Sequence, residues 1–202
     1  MRKIYLIRHG RPYFTDERRY CIGNKTDLPL SDEGKAEAAR LKNFLQNKNI
    51  EKFYTSPLKR CRQMMEIIAP PSSLIITVEG LKEIDMGIWD GMAFGDIKKL
   101  YPRQYLERGE NIAGYTVTEG ESFEQCLRRA WVAWQHIVTA TNSNIAIVAH
   151  AGVNRTLLCK LMDKPLIELL DIRQPFGCVN IIEQVGDSFK IEKIGFIPHC
   201  QD

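Results

Sequence analysis

The sequence predicts an α/β fold, and three observations carry the prediction. Short apolar runs suited to buried strands alternate with longer stretches of helical spacing along all 202 residues. One such run, residues 4–7, ends in Arg8-His9-Gly10, and a second, residues 145–149, ends in His150-Ala151-Gly152. The carboxyl ends of strands in an open parallel sheet line one edge, where a crevice is the usual ligand site. His9 and His150 are therefore candidates for a single pocket.

Residues 11–28 follow the first strand without a clear period, and their length and position suit a loop that covers a ligand. Ser31 with Asp32 and Glu33 marks a helix start, the two acids matching the positive end of the helix dipole. Ala36, Ala39, Leu41, Phe44 and Leu45 give that crossover helix an apolar side, and it ends near residues 47–49. Residues 53–55 read as a strand. Ser56-Pro57 then reads as a cap and first helical residue, which sets Arg60 in the first turn, a geometry suited to binding an anion. Lys59 and Arg62 read as solvated.

Pro70-Pro71 ends that helix, and residues 74–78 form the next strand. The stretch 81–91 fits neither a helix nor a strand and carries Glu83 and Asp85. Residues 94–108 read as a helical excursion restarted at Pro102, and residues 111–118 as irregular. Ser122 with Gln125 forms a capping box ahead of the best helix, whose Leu127, Ala130, Trp131, Trp134 and Val138 recur at i, i+3, i+4 spacing. Another helix spans about 153–162, and residues 179–183 and 189–194 form a terminal hairpin. No linker, repeat or low-complexity segment interrupts the chain, so residues 1–202 read as one domain with a small excursion at about 92–118.

Composition narrows the function classes. Hydrophobic residues at 44% and charged residues at 26% are ordinary for a soluble globular chain. A net charge of +3, with no basic run interleaved by aromatics, argues against nucleic acid as a partner. No signal-peptide pattern and no membrane-length apolar stretch occurs, so a cytoplasmic location away from membranes is expected. Cys21, Cys61, Cys126, Cys159, Cys178 and Cys200 are scattered, with no spacing that suggests zinc or a redox pair, so reduced thiols are expected and no metal.

Arg8, His9, Arg60 and His150 all fall at strand ends or adjacent helix starts. Such a cluster suits a phosphoryl group, whose transfer needs in-line positioning and neutralisation of its equatorial oxygens. Two arginines and one histidine can hold the oxygens, which leaves His9 as nucleophile, with its other ring nitrogen tied to a backbone carbonyl. Glu83 is the candidate proton donor to the leaving group. No metal or other cofactor is required.

These segments, in this order, resemble the histidine phosphatase (phosphoglycerate mutase-like) superfamily. Arg8-His9-Gly10 is similar to its signature, 56–60 to its second motif, 81–91 to the segment supplying the acid, 120–122 to the motif before the long helix, and 148–152 to the one holding the second histidine. The resemblance implies a three-layer α/β/α sandwich with a mostly parallel sheet. It places the phosphohistidine on His9, phosphate binding on Arg60 and the acid on Glu83. Arg8, His150, Arg11, Gly23 and Ala151 complete the expected binding set. Arg11, Pro12 and Thr15 depart from the family pattern, and Pro12 lacks the hydroxyl and amide hydrogen that would make one common phosphate contact.

The expected activity is hydrolysis of a small phosphorylated metabolite by a monomer or homodimer. A phosphoglycerate mutase is the alternative, disfavoured because only about 28 residues separate Gly91 from Gly120. An inactive phospho-ligand-binding relative is another, at odds with the presence of His9 and Glu83. Compact length and residues 83–87 are most similar to the α-ribazole phosphatase branch.

Overall fold

A computed structural model describes residues 1–198; Cys200 lies outside the described residues. The strands are β1 (Arg2–Arg8), β2 (Ile50–Thr55), β3 (Ile75–Thr77), β4 (Asn144–Ala149), β5 (Val179–Val185) and β6 (Ser188–Phe196). They form one sheet in the order β3-β2-β4-β1-β5-β6. The first four are mutually parallel, while β5 and β6 form an antiparallel hairpin closed at Gly186-Asp187.

Alternation along the strands divides the core into two layers. On β1 and β4, Tyr5, Ile7, Ala146 and Val148 face α1 (Asp32–Leu45) and α2 (Lys59–Ile68). Ile4, Leu6, Ile145, Ile147 and Ala149 face α5 (Phe123–Thr139) and α6 (Ala151–Leu161). The result is the expected three-layer sandwich. The sequence between β3 and α5 contains two short 3-10 turns, Glu79–Leu81 and Gly87–Trp89, and then α3 (Phe94–Leu100) and α4 (Pro102–Glu110). Ile97, Ile112 and Val117 of this stretch enter the same core as α5 and α6.

The helix caps follow the sequence in two places. Ser31 accepts from Gly34 N at the start of α1, and Ser122 with Gln125 forms a complete capping box on α5. Three details differ from the sequence expectation. Helix α2 begins two residues late with Leu58 as its cap, because Ser56 Oγ is held 2.8 Å from His150 Nε2. The buried side of α1 is Gly34, Ala38, Leu41 and Leu45, whereas Ala36 and Ala39 face solvent. On α5 the buried stripe is Phe123, Cys126, Ala130, Ala133, Trp134 and Ile137, with Leu127, Trp131 and Val138 along its margin. In both helices the choice between neighbouring apolar rows is set by how the helix rolls onto the sheet, not by its own periodicity. Five cysteines are free and buried, and among the described residues no helix is long and apolar enough to cross a membrane.

Candidate active site

Three neighbouring strand ends build the site. Because β4 lies between β1 and β2, the residues leaving these strands become neighbours despite their distance in sequence. Arg8 pairs with Ala149 in register, the next amide, His9 N, donates to Ala149 O at 3.0 Å, and Ser56 N donates to Val148 O at 2.9 Å. The rings of His9 and His150 thereby approach edge to face with centroids 5.0 Å apart.

His9 has a defined tautomer. Its Nδ1 lies 2.7 Å from the Gly10 carbonyl, which can only accept, so Nδ1 carries the hydrogen. Arg60 Nε donates to His9 Nε2 at 3.3 Å, which leaves the lone pair on Nε2. Burial first, and the Arg60 and Arg8 charges next, push the His9 pKa well below its usual value, so the ring stays neutral at physiological pH. His150 is fully buried and its pKa is lowered for the same leading reasons. Its Nε2 lies 2.8 Å from Ser56 Oγ and 3.4 Å from Cys61 Sγ.

Two arginines meet at the histidines. Arg60, at the first turn of α2, is completely buried; its Nη1 and Nη2 donate to the Thr26 and Gly23 carbonyls at 3.0 Å each, so it also pins the 11–28 loop. A Cβ on Gly23 would come within 2.7 Å of Ile84 O and Asp90 Oδ2, so only glycine lets that loop approach so closely. The Arg8 guanidinium lies 3.7 Å over the Phe176 ring and donates through Nη1 to the Gln174 carbonyl. Its Nε is buried with no partner among the described residues, a donor that an anionic oxygen would satisfy. Burial lowers the Arg8 pKa to about 10, which keeps it cationic at neutral pH.

Glu83 completes the group. It is only 7% exposed; Oε1 accepts from its neighbour Ile84 N at 2.9 Å and Oε2 from Gly152 N, in the first turn of α6, at 3.2 Å. The carboxyl group is thus held by backbone N–H groups on both oxygens, one of them at a helix start.

Arg8, His9, Arg60 and Glu83 line one cleft of about 90 Å³. That is well below the ~300–1,000 Å³ of sites that enclose a whole small molecule, so the cleft has room for a small group and not for a whole ligand. Pro12, Phe14, Tyr20 and Ile22 from the loop, with Phe176, form that mouth. A larger cavity of about 370 Å³, beside Lys42, Ile50, Phe53 and Pro71, lies at the other end of β2 and holds none of these groups. Among the described residues no cluster of three or more His, Cys, Asp or Glu side chains could hold a metal ion.

The remaining expected site residues are placed differently. His150 sits beside His9 without lining the cleft, Gly23 acts through its carbonyl on Arg60, and Ala151 is buried at the start of α6. Arg11 is not brought to the cleft, because its guanidinium turns to Glu33 at 3.4 Å and Glu17 at 3.7 Å. Phe176 was not legible beforehand: it lies between the sandwich helices and the hairpin in a segment with no periodicity, and only the proline and glycine flanking it mark a fixed turn. Ser56, a helix cap by its sequence position, is the hydrogen-bond partner of His150.

The chain also matches known proteins over nearly its whole length. The model of the histidine phosphatase superfamily, branch 1, matches residues 4–196. The 6-phosphofructo-2-kinase/fructose-2,6-bisphosphatase 1 of Homo sapiens is 31% identical over 195 residues, which cover 96% of this chain and 40% of that protein. The chain therefore spans about two fifths of the length of such relatives. The solved structure of Bacillus stearothermophilus YhfR is 30% identical with a TM-score of 0.87, covering 96% of this chain and 97% of that one. The alpha-ribazole phosphatase from Shigella flexneri shares the fold, with a TM-score of 0.81 at 21% identity over 96% of each chain.

Proposed function

Since the chain belongs to the histidine phosphatase superfamily, branch 1, we propose that it is a phosphomonoesterase acting on a small phosphorylated metabolite through a phosphohistidine on His9. The observation that carries this reading is the tautomer of His9. A neutral imidazole with its Nε2 lone pair held among two guanidinium groups is poised to attack a phosphorus atom whose oxygens those groups neutralise.

The phosphoryl oxygens take over the Arg60 Nε–H from His9 and engage the unpartnered Arg8 Nε, freeing the lone pair as the anion binds. His9 Nε2 then forms the N–P bond while the bond from phosphorus to the leaving oxygen breaks. Glu83, in its protonated form, gives that oxygen its proton. In the second half, water attacks phosphorus, Glu83 accepts the water's proton, the N–P bond breaks and inorganic phosphate leaves. His150, fixed by Ser56, packs edge to face on the His9 ring and so holds the nucleophile in place from behind the cleft. No step calls for a metal ion.

The test is hydrolysis of p-nitrophenyl phosphate in excess EDTA by the wild type and by His9→Ala. Activity that survives chelation and disappears in the variant supports the mechanism; metal-dependent turnover that ignores His9 refutes it. For the substrate itself we carry α-ribazole phosphate forward as the first compound, on the likeness of residues 83–87 to that branch. Fructose 2,6-bisphosphate follows, because the human relative is named for its hydrolysis. Interconversion of phosphoglycerates, measured alongside, reports the mutase alternative.

A further inference from the structure

Glu83 sits on a segment with no helix or strand of its own, yet an acid must be aimed to within a fraction of an ångström. The side chain that holds the segment is Arg129 of α5. Its Nη1 donates to the carbonyls of Gly80 at 2.9 Å and Lys82 at 2.7 Å, and its Nη2 donates to the carbonyl of Glu83 itself at 3.0 Å. Its Nε donates to Glu121 at 3.1 and 3.2 Å. Glu121 Oε1 in turn accepts from Asp85 N at 3.0 Å, and Glu121 N donates to Asp85 O at 2.9 Å. The pair therefore grips the backbone on both sides of Glu83. The grip is close: a Cβ on Gly80 would lie 2.7 Å from Ala133 Cβ and 3.0 Å from Arg129 O.

We propose that Arg129, braced by Glu121, is the positioning residue that aims the Glu83 carboxyl group at the leaving oxygen; this rests on the role given to Glu83 above. Three carbonyls converging on one planar fork of donors is a demand that only a guanidinium meets. Lysine, a compact charge with three donors on a flexible stem, cannot reach all three carbonyls and Glu121 together. With lysine the segment keeps its charge partner and loses its fixed direction.

General acid catalysis matters in proportion to how poor the leaving group is, and this separates a positioning role from a merely structural one. The experiment measures kcat/KM, which reports the step that forms the phosphohistidine, on p-nitrophenyl, phenyl and p-methoxyphenyl phosphates. These keep the shape of the substrate nearly constant while the leaving group worsens. Glu83→Gln and Arg129→Lys should each lose about tenfold more on the poor leaving groups than on p-nitrophenyl phosphate, with phosphate inhibition little changed. Glu121→Gln, which leaves the three loop contacts in place, should show the same trend more weakly, and it carries the test if Arg129→Lys fails to fold. Free guanidinium ion should restore to Arg129→Ala part of the activity lost on the poor leaving groups.

Equal losses on all three substrates for Arg129→Lys, together with a selective loss for Glu83→Gln, would overturn the positioning role and leave the acid intact. No selective loss for Glu83→Gln would overturn the acid, and this proposal with it.

Discussion

Gly152 offers a direct measure of how tightly Glu83 is held. A Cβ there would lie 2.5 Å from Glu83 Oε1 and 3.2 Å from Phe123 Cε1. Gly152→Ala gains up to ~1 kcal/mol of helix propensity within α6 and displaces only the end of a side chain, so the folded state should change little in stability. Activity should nevertheless fall by about tenfold or more, within the range that a misplaced general acid costs. Unchanged kcat/KM would show that the carboxyl group has slack. The buried histidines set a pH dependence. Both have folded pKa values well below 6.5, so below that pH the unfolded chain binds protons that the folded chain does not. Their contribution is constant above about pH 6.5 and turns destabilising as pH falls through it, because protons then bind the unfolded chain in preference to the folded one. Urea midpoints measured between pH 7.5 and 5.5 should drop in the wild type and drop less in His150→Gln. An equal drop in the two proteins would show that His150 is free to take up its proton in place.

The first turn of α1 is an element whose local preference conflicts with its packing. Replacing Gly34 by alanine would favour an isolated helix by ~1 kcal/mol. Here the added Cβ would meet Arg11 O at 2.3 Å and Arg11 N at 2.9 Å, both backbone atoms that cannot rotate away. Gly34→Ala should therefore lower the melting temperature and push the 10–12 segment away from α1, reducing activity as well; a melting temperature raised by the substitution would contradict this. The helix presses there because Ser31 Oγ, besides capping Gly34 N, donates to Arg11 O at 3.0 Å. Caps were legible in sequence at Ser31 and Ser122, since a cap depends on residues within one turn. Ser56 reads equally like a cap, yet its hydroxyl lies 2.8 Å from a buried imidazole at another strand end and, among the described residues, accepts only from Leu58 N, at 3.4 Å, ahead of the helix. Lys59 and Arg62 are solvent-facing as their positions on α2 suggested, while Arg60 between them is buried. Helical spacing shows which residues share a side and is silent about what faces that side.

On the scale of the whole molecule, we propose that the 92–118 excursion and the sandwich unfold as one domain. Ile97, fully buried on α3, shares its core with Ile147 and Trp134. Ile97→Ala should cost ~2–5 kcal/mol of the stability of the entire protein, with tryptophan fluorescence and far-ultraviolet circular dichroism shifting together. Separate transitions for the two probes would instead mark the excursion as an independent unit. The sequence by itself determined the candidate site residues and their local settings: two strands that end in histidines, an arginine in a first helical turn, an acid in an irregular stretch and two good caps. These follow from spacing over a few residues. That His9 and His150 could share a pocket was readable from their two strand ends; tertiary structure alone decided that β4 inserts between β1 and β2, which sets the two rings side by side, and that Arg11 turns to α1 while Phe176 closes the cleft over Arg8. Sheet order and side-chain direction depend on how two helical layers share one sheet, a balance of burial over the whole chain that no short window of sequence contains.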